Sequence, residues 1–451
     1  MSGAPIIDGF APGSPLGLHA EAIWSAGVFL AQAQALALRF PGGAGGACGL
    51  LLCEDRLAFA LGLAASLWQR ATVLLPPSHA PATLAELCRL RQPRFALVDR
   101  AGTVDGVEEI VVTPAAATAD VVARAPDIPF AQVAVVVYTS GTTGEPQAHA
   151  KTWGSLVRGA AALRARTRFA SGNALVGAVP AQHMWGLEAT IVLPLQSGGV
   201  IHPGTPLLPL DLAAALHDAP QPRWLVLTPL HARSCVQAGV PLPPLAGVLS
   251  ATAPLDRALA ASFEQLASTT LTEIYGSSET GAIATRMPAR ETRFVPLDGI
   301  ALAASDTGIV VSGGHLSHGV ALSDHASIGG DGSFVLTGRD ADLVKVGGKR
   351  GSLTMLNRVL REIPGVEDGE FVVGAQEGAT QRLAAVVVAP SIDRGQVVAA
   401  LRTRIDPVFL PRPLCFVDAL PRNALGKLPA AMLHRIVADC AAANGRAGGR
   451  R

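Results

Sequence analysis

Residues 133–153 read VAVVVYTSGTTGEPQAHAKTW, and the reading of the whole chain turns on this stretch. Its first five residues, VAVVV, have the length and β-branched composition of a strand. A loop follows at once: Tyr138, Thr139, Ser140, Gly141, Thr142, Thr143 and Gly144. Glycine lets the backbone turn through positive φ and lets a ligand approach closely. Successive backbone N–H groups in such a turn converge on an anion, and the Ser and Thr hydroxyls add donors. A phosphate is the natural guest. No Lys follows the second Gly, so this is not the common strand–GxxxxGK–helix phosphate loop. A Ser/Thr/Gly cluster after a strand is also an ordinary surface turn, so the loop by itself leaves both readings open.

Outward from this stretch, strand-like and helix-like segments alternate. Toward the N-terminus, 20–40 has helical spacing, 49–53 reads as a strand, 56–69 as a helix, 71–76 as a strand, 81–91 as a helix and 95–98 as a strand. The Ala-rich run 115–123 reads as a loose connection. Toward the C-terminus, 175–179 and 224–228 are strand-like, and 247–255 and 271–280 each read as a strand running into a turn. Such alternation argues for parallel sheets covered on both faces by helices. From 306 the composition shifts to Gly, Ser and Val, suggesting short antiparallel strands, and Asp331-Gly332 is a hairpin signal. The polar run 338–342 reads as a hinge, and about 100 residues beyond it suffice for a small α+β domain. The expected organisation is therefore α/β: a large multi-sheet region over 1–338, a small mobile α+β domain over 339–440, and a Gly/Arg-rich disordered tail over 441–451.

Composition narrows the function classes. The 451 residues are 49% hydrophobic and 16% charged, which allows a large core. A formal net charge of +1 gives no electrostatic reason to expect a nucleic acid or a membrane surface as partner. The first ten residues, MSGAPIIDGF, lack the basic and apolar regions of a signal peptide. The apolar run 57–68 lies between Arg56 and Arg70 and is too short to span a bilayer. Six scattered cysteines form no CxxC pair and fit reduced thiols in a cytosol, so the expected location is cytoplasmic.

In full, Tyr-Thr-Ser-Gly-Thr-Thr-Gly-x-Pro resembles the phosphate loop of adenylate-forming enzymes: acyl- and aryl-CoA ligases, adenylation domains of peptide synthetases, and luciferases. Further motifs follow in that family's order between about residues 49 and 427. The resemblance implies ATP as cosubstrate, cradled by Thr139 to Gly144. The family's usual Lys after the Pro is Gln147 here, and Lys151 is the candidate to supply that charge. Tyr275-Gly276-Ser277-Ser278-Glu279-Thr280 is similar to the family's Tyr-Gly-x-Thr-Glu. It implies that Glu279 holds Mg²⁺ against the phosphates, a hard cation suited to one or two protein carboxylates, and that the Tyr275 ring stacks on adenine. Asp324, with Arg339 after Gly338, matches the family's ribose-binding Asp and Gly-Arg, a carboxylate being able to accept from both hydroxyls of a diol. An ion pair at the surface is the plainer reading of those two. Lys427, ending LPRNALGK, resembles the family's catalytic Lys, which neutralises the meeting of carboxylate and α-phosphate.

His183, Met184, Trp185 and Gly186 match the family's acid-pocket motif, with His183 at the position that in some members gates the thiol tunnel, and Ala251 is assigned to the same pocket. Amino-acid-activating members place an Asp where this chain has Met184. A thioether cannot pair with an ammonium, and a buried unpaired ammonium is costly. The implied acid lacks an α-amine and is aromatic, hydroxybenzoate-like, or a short- to medium-chain acyl group. The implied acceptor is phosphopantetheine, on CoA or on an acyl carrier protein. Two other readings stay open at this point: a stand-alone amino-acid adenylation domain, and a non-catalytic nucleotide-binding paralogue, for which Gln147 and Ala341 are the motivating departures.

Overall fold

The computed structural model describes residues 3–19, 22–41, 46–114, 125–140, 146–305, 308–339, 343–346, 349–373, 382–422 and 428–448. The chain divides into two units, 1–301 with 311–320, and 302–310 with 321–451.

The first unit is built on two large sheets. One has six strands in the order Pro146–Thr152, Val133–Ser140, Thr72–Leu75, Cys48–Leu51, Phe95–Val98, Glu108–Val111. All neighbours are parallel except the first pair, which is an antiparallel hairpin. The helix Arg56–Trp68 links two adjacent parallel strands of this sheet, Cys48–Leu51 and Thr72–Leu75, as a parallel pair requires. Asp55 starts it by accepting from the Ala58 N–H. Almost every side chain of that helix is buried, in keeping with its apolar sequence.

The second sheet has nine strands, Val295–Pro296, Gly281–Arg286, Leu271–Ser277, Gly247–Ser250, Arg223–Leu227, Ala174–Gly177, Val200–Ile201, Pro15–His19, Ala22–Ser25. Its centre is parallel and its edges are antiparallel. Central strands such as Ala174–Gly177 and Gly247–Ser250 are buried at every residue. That is the pattern of a sheet covered on both faces.

Two expected boundaries move. Helical spacing over 20–40 resolves into an edge strand, Ala22–Ser25, and a helix, Ala26–Ala37. The break falls at Ser25, whose hydroxyl caps the helix by accepting from the Val28 N–H. The strand expected over 133–137 runs on through Tyr138 and Thr139 to Ser140. It is extended because Pro146–Thr152 pairs with it, Gln147 opposite Thr139 and His149 opposite Val137. That partner strand was not anticipated from sequence. The Ala-rich run 115–123 lies outside the described residues.

The second unit contains the hairpin Asp324–Ile328 with Phe334–Arg339, turning at Gly332 with φ +80°, and the hairpin Leu343–Val346 with Lys349–Ser352. A three-stranded sheet, Asp368–Val373, Leu383–Val388 and Leu414–Phe416, packs with the helices Leu353–Arg361 and Arg394–Arg402 around Leu356, Leu360, Phe371, Val397 and Leu401. The helix Ala430–Gly448 continues through residues first assigned to a disordered tail. Three successive alanines, 441–443, are strong helix formers and outweigh the glycines nearby.

Trp153 joins the central motif to the core. It is fully buried at the start of the helix Trp153–Thr167, and its indole N–H donates to the Ala4 carbonyl at 3.2 Å. Trp153→Ala is expected to destabilise the first unit by about 3–5 kcal/mol. Urea denaturation followed by circular dichroism checks this, and a loss below about 1 kcal/mol would mean the site collapses without a cavity.

Candidate active site

In the first unit the sequence motifs fall at the carboxyl ends of parallel strands. Thr139 and Ser140 end Val133–Ser140, the 179–186 segment follows Ala174–Gly177, Ala251 follows Gly247–Ser250, and Glu279 follows Leu271–Ser277. The carboxyl edge is where open α/β sheets bind ligands.

The turn carrying Glu279 is a tight hairpin. Leu271–Ser277 pairs with Gly281–Arg286, with Ser277 opposite Gly281 and an irregularity between Tyr275 and Gly276. Glycine is required twice. A Cβ at Gly276 would lie 2.1 Å from the Gly281 carbonyl oxygen, and Gly281 has φ +71°. Within the turn, the Ser277 N–H donates to Thr280 Oγ1 at 3.0 Å. Glu279 is half exposed. Burial opposes its ionisation, but hydrogen bonds from Ser277 and its own backbone N–H, with the nearby His149 and Lys151, outweigh burial and hold its carboxyl below the usual range. An ionised, accessible carboxylate fits a hard cation that takes its remaining ligands from phosphate oxygens.

Side chains from other elements reach this turn. On the strand Pro146–Thr152, alternation puts Gln147, His149 and Lys151 on one face. Gln147 is exposed. His149 Nε2 lies 3.2 Å from Thr139 Oγ1 and 3.7 Å from Glu279 Oε1, so it stands between Thr139, near the end of the strand Val133–Ser140, and the carboxylate. Burial holds the His149 imidazole below its ordinary pKa. Lys151 is buried, and its ammonium donates to the backbone carbonyl of Glu279 at 2.6 Å. This corrects the expectation that Lys151 stands in for the Lys missing at Gln147, because burial and that bond turn its charge inward. Glu188 is also buried, and its carboxylate accepts from the Ala282 N–H at 3.0 Å. Burial pushes the Glu188 carboxyl up to about 7, against the pull of the Lys151 charge and the Ala282 bond. Burial likewise lowers Lys151, against Glu188 and Glu279. His315 Nε2 sits 2.8 Å from the Thr280 carbonyl.

The acid-pocket motif is next to this turn. Met184 and Trp185 are buried, in a one-turn helix Met184–Leu187 that continues as a π-helical stretch Glu188–Val192. A Cβ at Gly281 would lie 3.4 Å from Met184 Cε, so the two motifs touch. Gly186 permits the packing, since a Cβ there would meet the Pro180 carbonyl oxygen at 1.9 Å. His183 is half-buried. Ala251 is buried, and the next residue, Thr252, is held at φ +84°, a strained conformation for a β-branched residue. The turn is braced by Glu273, which accepts from the Leu255 N–H at 3.0 Å and pairs with Arg286 at 2.6 Å. The Tyr275 ring packs on Phe294, with centroids 5.5 Å apart.

The second unit brings Asp324 and Arg339 together. They are directly opposite in the antiparallel ladder, Asp324 half-buried, with Gly338 at φ +142° beside the pair. Gly141, Thr142, Thr143, Gly144 and Lys427 lie outside the described residues, as do Ala341, Gly347 and Gly348. The chain leading into the Lys427 segment is anchored. Arg422 donates through Nε and Nη2 to both oxygens of Asp368, at 2.8 and 2.9 Å.

Sequence reasoning missed His149, Glu188 and His315 and gave Lys151 another role. A usable signal existed for one of them: Glu188 is the sole charged residue in the apolar run 184–195. A buried carboxylate there needs a specific partner.

Burial pushes the Asp368 carboxyl up, but the Arg422 fork, Arg361 and the Gly369 N–H outweigh it and hold it below its ordinary range. Its stabilising effect is therefore present above the ordinary carboxylate pKa, about 3.9, and is lost as pH falls through the lower folded value. Asp368→Asn is expected to cost about 2–3 kcal/mol at pH 7 and to weaken the acid dependence of stability below about pH 4. Thermal melts from neutral to acid pH check both.

Comparison with known proteins identifies the family. The family model for AMP-binding enzymes matches residues 30–316. A 4-coumarate–CoA ligase of Rhodobacter capsulatus is 33% identical over 301 residues, covering 65% of this chain and 74% of that protein. A feruloyl-CoA synthase of an Amycolatopsis species is 25% identical over 350 residues, 67% of this chain and 70% of that one. Among solved structures, ATP-bound MatB of Rhodopseudomonas palustris superposes with a TM-score of 0.82 at 20% identity, covering 94% of this chain and 96% of that one. Among the described residues no helix is long and apolar enough to cross a membrane. The chain belongs to the AMP-binding enzyme family, within the adenylate-forming superfamily, and is an acid–thiol ligase of the acyl- and aryl-CoA ligase group.

Proposed function

We propose that this ligase activates a hydroxylated aromatic acid, of the hydroxycinnamate or hydroxybenzoate kind, and passes it to the thiol of phosphopantetheine. The acid's carboxylate oxygen attacks the α-phosphorus of ATP. The bond to the β-phosphate oxygen breaks, leaving acyl-adenylate and pyrophosphate. The thiol, giving up its proton, then attacks the acyl carbon, and AMP leaves. CoA is the acceptor favoured by the names of the relatives, and an acyl carrier protein is the alternative the test includes.

The observation that carries the choice of acid is the 183–186 segment beside the Glu279 turn. It is apolar and buried at Met184 and Trp185, with no carboxylate at the position where an α-ammonium would need one. Trp185 Nε1 and Ser250 Oγ are buried with no hydrogen-bond partner among the described residues. Both belong to segments assigned to the acid pocket, and unpaired buried polar atoms suit an acid that brings its own hydroxyl. Relatives named for 4-coumarate and ferulate support the same class. In this reading Thr139 to Gly144 cradle the phosphates, Asp324 holds the ribose, Tyr275 flanks the adenine, and Lys427 neutralises the α-phosphate. The hinge at 338–342 lets the C-terminal part reorient between steps, with Gly347 and Gly348 in the loop that then turns to the site. Glu279 would hold Mg²⁺, which supplies charge neutralisation on the phosphate oxygens.

A panel of acids, assayed for AMP release with CoA and with holo carrier protein separately, tests the reading. Hydroxycinnamates or hydroxybenzoates should exceed their unhydroxylated analogues and every amino acid. Amino acids alone supporting pyrophosphate exchange, or ATP binding with no acid turned over, would overturn it. Lys427→Ala should lower adenylation roughly 100-fold or more while sparing transfer from supplied acyl-adenylate. Equal loss in both steps would remove Lys427 from the assigned role.

A further inference from the structure

Three consecutive parts of the Glu279 turn are gripped from three directions. Lys151 Nζ holds the Glu279 carbonyl, His315 Nε2 meets the Thr280 carbonyl, and the Glu188 carboxylate takes the Ala282 N–H. The three side chains come from separate elements: the strand paired with the phosphate-loop strand, the π-helical stretch that follows the acid-pocket motif, and the segment near 315. All three are buried. Local space is cut to fit them. A Cβ at Gly281 would strike Glu188 Oε1 at 2.4 Å, and Gly159 faces His315 and Glu188, its Cβ position lying 3.6 and 3.7 Å from them. None of the three atoms is the carboxylate itself, so they act on its backbone.

We propose that Lys151, Glu188 and His315 are positioning residues that clamp this turn and so fix where the Glu279 carboxylate stands. The physical reason is entropic. A solvent-exposed hairpin turn samples many conformations, and a cation site on it must be ordered before it binds. Here the order is built in by buried bonds to the backbone. The Lys151 bond is made by an ammonium, and a hydrogen bond from an ammonium is stronger than a neutral one. The opposite signs of Lys151 and Glu188 offset part of each other's desolvation. The clamp links three functions in one place, since the strand of Lys151 continues from the phosphate loop, and Glu188 lies two residues beyond Gly186 of the acid-pocket motif.

This rests on the reading of Glu279 as the metal-holding carboxylate, and the experiment separates the two. ATP binding to the full-length protein is titrated at a series of free Mg²⁺ concentrations. The variants are Glu279→Gln, Lys151→Met, Lys151→Met with Glu188→Gln, and Lys151→Met with Glu279→Gln. Lys151→Met alone leaves Glu188 buried without its counter-charge, so the variant that removes both charges guards against misfolding, and melting temperatures are recorded for all. Expected is a rise of about tenfold in half-saturating Mg²⁺ for both Lys151 variants that retain Glu279, the range seen when residues behind a metal ligand are lost. Adding Lys151→Met to Glu279→Gln should raise it no further, because both changes act through one carboxylate. Unchanged Mg²⁺ demand in folded Lys151 variants, with Glu279→Gln raising it, overturns the clamp alone. Effects that multiply in the combined variant also overturn it. No change from Glu279→Gln itself overturns the metal assignment, and the clamp falls with it.

Discussion

A buried ammonium seated 2.6 Å from the carbonyl of Glu279 is the contact around which the first unit's ligand edge is arranged. Taking a lysine out of water is expensive, and its stem alone does not justify the burial. Nearby Glu188, also buried, and the peptide carbonyl offset part of that cost, and burial still lowers the Lys151 pKa. Buried charges of opposite sign contribute little net stability, and their better-attested use is to select one arrangement among several. Here the arrangement selected is the turn that presents a carboxylate to solvent. The strand Pro146–Thr152, the stretch Glu188–Val192 and the turn at Glu279 come from distant parts of the chain, and they meet where Lys151 and Glu188 bond the backbone of that turn.

Backbone constraints complete the arrangement. Gly186, Gly276 and Gly281 each sit where a side chain would strike a backbone oxygen or the Glu188 carboxylate. Removing the side chains lets the pocket segment, the bulged strand and the turn approach closely. The Glu273–Arg286 pair steadies the turn at 251–255, where Thr252 is held at positive φ. Strain kept in place by surrounding bonds is common where a ligand must be met by a fixed surface. In the second unit the Arg422–Asp368 fork plays a comparable part, tying down the chain just ahead of the segment that contains Lys427.

Much of this was legible from sequence, and the reason is locality. The alternation of strands and helices, the glycines at turns and the ordered motifs depend on neighbours in the chain, so the α/β class and the family resemblance could be read directly. Asp324 and Arg339, singled out by the motif they resemble, stand opposite each other in the antiparallel ladder. What was not legible depends on burial and on contacts between distant segments. Lys151 looks like any charged residue at the end of a polar strand, and only its 7% exposure and its partner reveal that it points inward. His149 carries no signal of its own, since its meaning comes from Thr139 across the hairpin and Glu279 beyond it. The strand Pro146–Thr152 was itself overlooked, because Gln, His and Lys weaken its apolar pattern and pairing supplies what propensity does not.

If Lys151, Glu188 and His315 clamp the Glu279 turn, that turn is ordered before any nucleotide arrives. Hydrogen exchange of the free protein, read by mass spectrometry over the peptide spanning 277–284, measures this most directly. The Ala282 amide should then be protected to a degree comparable with the neighbouring strand Leu271–Ser277, and nucleotide should add little to it. Exchange of that amide as fast as an exposed loop, with protection appearing only when ATP and Mg²⁺ are present, would contradict it.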